Sequence, residues 1–85
     1  MATEILYFAW VREKIGVSAE TFELPEGLAT VADLVAWLAT RSEGHAEAFA
    51  EPARLRAAID QVFVPLEASL GRPREIAIFP PVTGG

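Results

Sequence analysis

One amphipathic stripe constrains this chain more than any other feature. Val31, Leu34, Val35 and Leu38 fall at i, i+3, i+4 and i+7 behind Thr30, a residue placed to cap a helix, with Asp33 three positions on as a weak capping box. Gly44, after Arg41, marks the predicted end of this main helix. Such a helix cannot bury its apolar face alone. The segments on either side are rich in β-branched and aromatic residues, so the surface it needs must be a sheet built from them.

Thr3 to Val11 is predicted as a first strand covered on both faces, and Arg12 to Gly16 as a charged turn. Ser18 to Leu24 alternates and pairs back as a second strand, which Pro25-Glu26-Gly27 stops. After the main helix, with Trp37 at the edge of its stripe, a short helical piece spans His45 to Ala50 before Pro52. Leu55 to Ile59 and Val62 to Leu66 form a hairpin across Asp60-Gln61, and Glu75 to Phe79 is a last, buried strand that Pro80-Pro81 ends. The expected architecture is α+β, a mixed sheet of about five strands with one main helix on one face, and the β-grasp fold fits that order best. The predicted division is a folded body, residues 1–79, and an extended tail, residues 80–85.

Composition narrows the function. An apolar fraction of 52% with mean hydropathy +0.29 argues for a folded core, and the absence of cysteine removes disulfides, thiolate zinc sites and a cysteine nucleophile together. A net charge of -5, concentrated as nine acids against three bases in residues 1–51, excludes the basic footprint of a nucleic-acid binder. The longest apolar run, Ile5 to Val11, falls far short of the roughly 20 residues a membrane span needs, and no secretory signal is recognisable, so a cytoplasmic location is expected. His45, the single histidine, stands among Glu43, Glu47 and Glu51 and reads as a surface residue rather than a metal ligand. So thin an inventory for acid–base chemistry points to a protein that works with a partner.

The tail offers chemistry of its own. Two prolines stiffen the exit from the last strand, and at about 3.3 Å per residue the stretch Pro80-Pro81-Val82-Thr83-Gly84-Gly85 reaches roughly 20 Å. Gly84 and Gly85 carry no side chains, so the tip can enter a narrow channel, and its reactive group is the Gly85 carboxylate. A carboxylate is a poor electrophile. Adenylation would make AMP the leaving group, after which a sulfur nucleophile could leave a thiocarboxylate or thioester on Gly85. Phe79, Pro81 and Val82 are expected to form an apolar docking strip beside the tail, with Arg12 as a further docking residue.

Two stretches of sequence are similar to one family. Tyr7-Phe8-Ala9-Trp10-Val11-Arg12-Glu13-Lys14-Ile15-Gly16 near the start and Glu75-Ile76-Ala77-Ile78-Phe79-Pro80-Pro81-Val82-Thr83-Gly84-Gly85 at the end resemble the small, sulfur-carrying subunits of molybdopterin synthase. That resemblance implies a ubiquitin-like β-grasp fold and a cycle in which a ubiquitin-activating-like adenylyltransferase uses ATP on Gly85. A sulfurtransferase then makes the thiocarboxylate, and the tail enters a large subunit and gives its sulfur to cyclic pyranopterin monophosphate, forming the molybdopterin dithiolene. It implies a heterotetramer of two small subunits flanking a large-subunit dimer, no bound cofactor, no nucleic acid and no membrane. Arg72-Pro73-Arg74 departs from the acidic turn common before the last strand in that family. The thiamine-pathway sulfur carrier and a ubiquitin-like modifier conjugated to lysines remain as alternatives.

Overall fold

In chain order the elements are β1 (Ala2–Tyr7), α1 (Ala9–Ile15), β2 (Ala19–Glu23), α2 (Val31–Leu38), α3 (Glu43–Ala48), a 3₁₀ turn (Pro52–Arg54), β3 (Arg56–Ile59), β4 (Val62–Val64) and β5 (Glu75–Phe79). This computed structural model describes residues 2–81. The strands form one sheet in the order β2-β1-β5-β3-β4. The central pair β1 and β5 is parallel, with Ile5 opposite Ile76 and Tyr7 opposite Ile78, and the other pairings are antiparallel. A parallel centre forces the chain to cross over between β1 and β5, and α2 lies within that crossover. The result is the expected α+β, β-grasp arrangement.

The main helix begins as its sequence dictates. The Asp33 amide donates to Thr30 Oγ1 at 3.1 Å, and the Asp33 carboxylate accepts from the Thr30 amide at 3.1 Å and the Ala29 amide at 3.0 Å, so three otherwise orphaned donors are satisfied. Val31, Leu34, Val35 and Leu38 are all buried. They meet Ile5, Tyr7, Ile76, Ile78 and Ala57 from the sheet, completed by Leu55, Phe49, Val11 and Leu70. The helix stops at Leu38, before the predicted end. Thr40 Oγ1 donates to the Trp37 carbonyl at 2.7 Å, and the last amides tighten onto carbonyls three residues back, which closes the turn before Arg41. Gly44 therefore ends no helix; it lies inside α3, which starts two residues earlier than the predicted His45 to Ala50 piece.

Two further expectations need correction. The first strand ends at Tyr7, because Ala9 takes a positive φ of 52° and turns the chain into α1. Val11 and Ile15 then fall one turn apart on the buried side while Arg12, Glu13 and Lys14 face out, so a 3.6-residue period runs through what reads as a strand followed by a charged turn. Gly16, in the left-handed region at φ 98°, closes this helix by donating to the Arg12 carbonyl at 2.8 Å. β1 and β2 do pair antiparallel, but through a helix instead of a tight hairpin. The predicted β3–β4 hairpin is present. Its turn holds Asp60 and Gln61 both at positive φ, and Asp60 Oδ1 ties it to β5 by accepting from the Arg74 and Glu75 amides at 3.1 and 3.0 Å.

Candidate functional site

The helices cover one face of the sheet and leave the other open. Alternation along the strands assigns the residues: Ile76 and Ile78 of β5 face the helices, whereas Ala77 and Phe79 face away. Across the open face the register sets Ala19, Leu6, Ala77, Ala58 and Phe63 in one row over all the strands. The alanines give a flat floor. Phe63, 77% exposed on edge strand β4, stands over it with its ring 5.6 Å from that of Phe79. Phe79 pairs with Arg56 and, with Phe63, Ala57, Val64 and Pro65, lines a shallow notch of about 450 Å³. The notch is apolar apart from Arg56, the composition that makes it a candidate interaction surface.

Phe79 is the last residue of β5, so this surface runs directly into the root of the tail at half-buried Pro80 and exposed Pro81. Val82, Thr83, Gly84 and Gly85 lie outside the described residues. Arg12 is exposed on α1 and is not among the residues lining the notch, so the structure does not bring it together with Phe79. Leu6, Ala58, Ala77 and Phe63 complete the face and were not singled out by sequence reasoning. The signal for Phe63 was available: Val62-Phe63-Val64 carries apolar residues on both faces of the strand, unusual for an edge strand.

The cluster around His45 is a second correction. His45 is 5% exposed, not a surface residue. Its Nε2 lies 2.7 Å from Glu20 Oε2, the same oxygen that accepts from the Tyr7 hydroxyl at 2.8 Å, and its Nδ1 lies 2.7 Å from Ser42 Oγ. A carboxylate only accepts, so the imidazole donates through Nε2, and in its neutral form Nδ1 accepts a hydrogen bond from the Ser42 hydroxyl. Burial, then the Glu20 hydrogen bond and charge, push the Tyr7 phenol well above its ordinary value. A serine, an imidazole and a carboxylate in series suggest a hydrolase relay, but Ser42 Oγ already caps α3 by accepting the His45 amide at 3.2 Å, and no described cavity is lined by Ser42 or His45. The cluster is a clamp holding α3 to β1 and β2. Among the described residues no group of three metal-ligating side chains converges, and no helix is long and apolar enough to cross a membrane.

Comparison with known proteins agrees with this geometry. The ThiS family matches residues 5–85. The molybdopterin synthase sulfur carrier subunit of Haemophilus influenzae is 42% identical over 81 residues, 95% of this chain and 96% of that one. Its counterpart of the same name in Escherichia coli is 39% identical over 82 residues, covering 96% and 98%. A solved structure described as molybdopterin converting factor subunit 1 from Pyrococcus furiosus superposes with TM-score 0.73 at 30% identity, over 96% of this chain and 99% of that one. With the family model matching nearly the whole chain, the chain belongs to the ThiS family and is about 40% identical, over almost its full length, to sulfur carrier subunits of molybdopterin synthase.

Proposed function

We propose that this chain carries sulfur on Gly85 and delivers it within a molybdopterin synthase, docked on a large subunit through the open face of its sheet. The observation that carries this reading is continuity. An apolar surface built from Leu6, Ala58, Ala77, Phe63 and Phe79 leads without interruption into Pro80, the first residue of the Pro-Pro-Val-Thr-Gly-Gly ending. Docking the face fixes where the tail begins, and the tail's length then sets how deep its carboxyl can be placed.

The chemistry proceeds in balanced steps. The Gly85 carboxylate attacks the α-phosphorus of ATP on an adenylyltransferase, and pyrophosphate leaves. Hydrosulfide delivered through a sulfurtransferase attacks the acyl carbon, the C–O bond to the phosphate breaks and AMP leaves with the electron pair, and loss of the S–H proton gives a thiocarboxylate. In the large subunit the thiocarboxylate sulfur bonds to a carbon of cyclic pyranopterin monophosphate in place of a C–O bond, water then hydrolyses the acyl–sulfur bond, and the sulfur stays on the pterin while Gly85 returns as a carboxylate, ready for reloading. The small subunit contributes the sulfur and the thread that positions it; the large subunit supplies the acid–base groups, ATP stays with the activating enzyme, and two small subunits serve a large-subunit dimer. Intact mass after incubation with adenylyltransferase, ATP and a sulfur source tests this: the gain of one oxygen-to-sulfur exchange is expected. A variant extended by one alanine beyond Gly85 should gain nothing, and full loading of that variant would overturn the assignment. Conversion of the pterin, rather than stable conjugates on other proteins or sulfur delivery to a thiazole precursor, separates this reading from its two alternatives.

A further inference from the structure

Four residues separate Pro81 from the end of the chain at Gly85, and the structure shows what surrounds the point from which they depart. Tyr7 pairs with Ile78 and Arg56 with Phe79, so Pro80 leaves the sheet between the end of β1, where α1 begins, and Leu55, where the 3₁₀ turn ends. Continuing the alternation of β5, half-buried Pro80 falls on the helix side, opposite to Phe79. The two segments flanking it are also walls of a cleft. Trp10 and Lys14 of α1, with Glu47, Ala48, Glu51 and Arg54, line about 490 Å³ there. The Arg54 guanidinium, 5.6 Å from the centre of the Trp10 ring, joins these walls beside the tail root. All of α1 stays at this end of the sheet, because the Tyr7 amide donates to the Ser18 carbonyl at 2.9 Å and closes the excursion that contains it. Gly44 lets α3 pack against its last turn, since a Cβ there would collide with the Lys14 carbonyl oxygen.

We propose that this cleft is the resting site of the chain's own C-terminal end, with the Gly85 carboxylate held by Lys14 and Arg54, and that a tail so held is withheld from activation. Reach and charge both favour it. At about 3.3 Å per residue Val82 to Gly85 extend roughly 13 Å beyond Pro81, whereas Trp10 and Lys14, one turn apart on α1, are separated by about 6 Å. Gly84 and Gly85 allow the backbone to turn back and to lie close against the Trp10 ring and Ala48. Lys14, exposed in the last turn of α1, makes no ion pair among the described residues, and Arg54 has the exposed Glu51 at 4.0 Å. A terminal carboxylate offers one oxygen to each cation. Glu47 and Glu51 share the cleft and oppose it, which keeps the hold weak enough for release to a partner. The tether selects this end over that of another molecule, because a short linker presents it at an effective concentration on the order of millimolar. Withholding rests on Gly85 being the loaded residue, as proposed above; the docking does not.

The test uses the full chain with a nitroxide on Thr83→Cys, the sequence having no other cysteine, and reads paramagnetic broadening of the Lys14, Glu47 and Ala48 amide signals by NMR. The double variant Lys14→Gln, Arg54→Gln should lower that broadening at least twofold while keeping the melting temperature, because both side chains are exposed. A C-terminal amide on Gly85, which removes the charge and nothing else, should do the same. Broadening that neither change reduces would show a tail merely tethered nearby, and broadening that falls on dilution would show a second copy in the cleft; each overturns the proposal. Pyrophosphate release by the adenylyltransferase, measured on unlabelled chains, reads the consequence. The double variant should lower KM by up to about fivefold with kcat unchanged, the most that an exposed ion pair supplies. An unchanged or raised KM overturns the withholding. No pyrophosphate release from any of these chains overturns the carrier reading instead, and the docking is then decided by the broadening.

Discussion

The two faces of the sheet are made by alternate residues of the same strands, yet they do different work. On the covered face Ile5, Ile76 and Ile78 are fully buried against Leu34 and Leu38, and large aliphatic side chains fill the space between layers. On the open face the central strands carry Ala58 and Ala77, flanked by Leu6, Phe63 and Phe79. Small central residues keep that surface flat, and the aromatic side chains beside the tail give it something to insert into a partner. One face holds the fold together, and the other is the face proposed to dock on another protein.

The comparison breaks first at its strongest point. Leu34→Ala, at 0% exposure, should cost about 2 to 5 kcal/mol in chemical denaturation, a large share of what a domain this small possesses. Affinity for a large subunit, measured per folded molecule, should stay unchanged; a loss there would mean the covered face also shapes the interface. Phe79→Ala and Phe63→Ala probe the opposite face. Each should weaken the complex by about 1 to 3 kcal/mol in titration calorimetry, whereas Phe63→Ala should leave stability within about 0.5 kcal/mol because its ring is 77% exposed. If Phe79→Ala lowers the melting temperature and spares affinity, that ring belongs to the core instead.

A third test sharpens the covered face at its polar rim. The Tyr7 phenol is held protonated in the folded state, so its contribution is complete below the ordinary tyrosine value near 10.0 and is lost as pH rises above it, where the unfolded chain releases the proton first. Stability should fall by up to about 1.4 kcal/mol per pH unit beyond that point. Tyr7→Phe should flatten this limb in urea titrations across alkaline pH. The smallest effect belongs to Thr30→Ala, which removes the α2 cap and should cost about 1 kcal/mol with no change in partner affinity.

Legibility in the sequence followed the range of the deciding interactions. The α2 stripe, its capping box, the Asp60-Gln61 turn and β5 are written in residues within four positions of one another, and each occurs where the sequence places it. The Gly-Gly ending and its chemical implication were equally local. What the sequence could not decide alone were the choices that depend on distant neighbours. Ala9 to Ile15 suits a strand or a helix, and the contact with α3 at Gly44 selects the helix. His45 looks like a surface residue until Tyr7 and Glu20, far away in the chain, supply partners that make its burial tolerable. Phe63 and Phe79 become one surface only because β3 brings β4 and β5 together in register. Periodicity and capping are energies between near neighbours and are visible in one dimension, whereas burial and pairing are energies between surfaces that exist only once the sheet has closed on its helix.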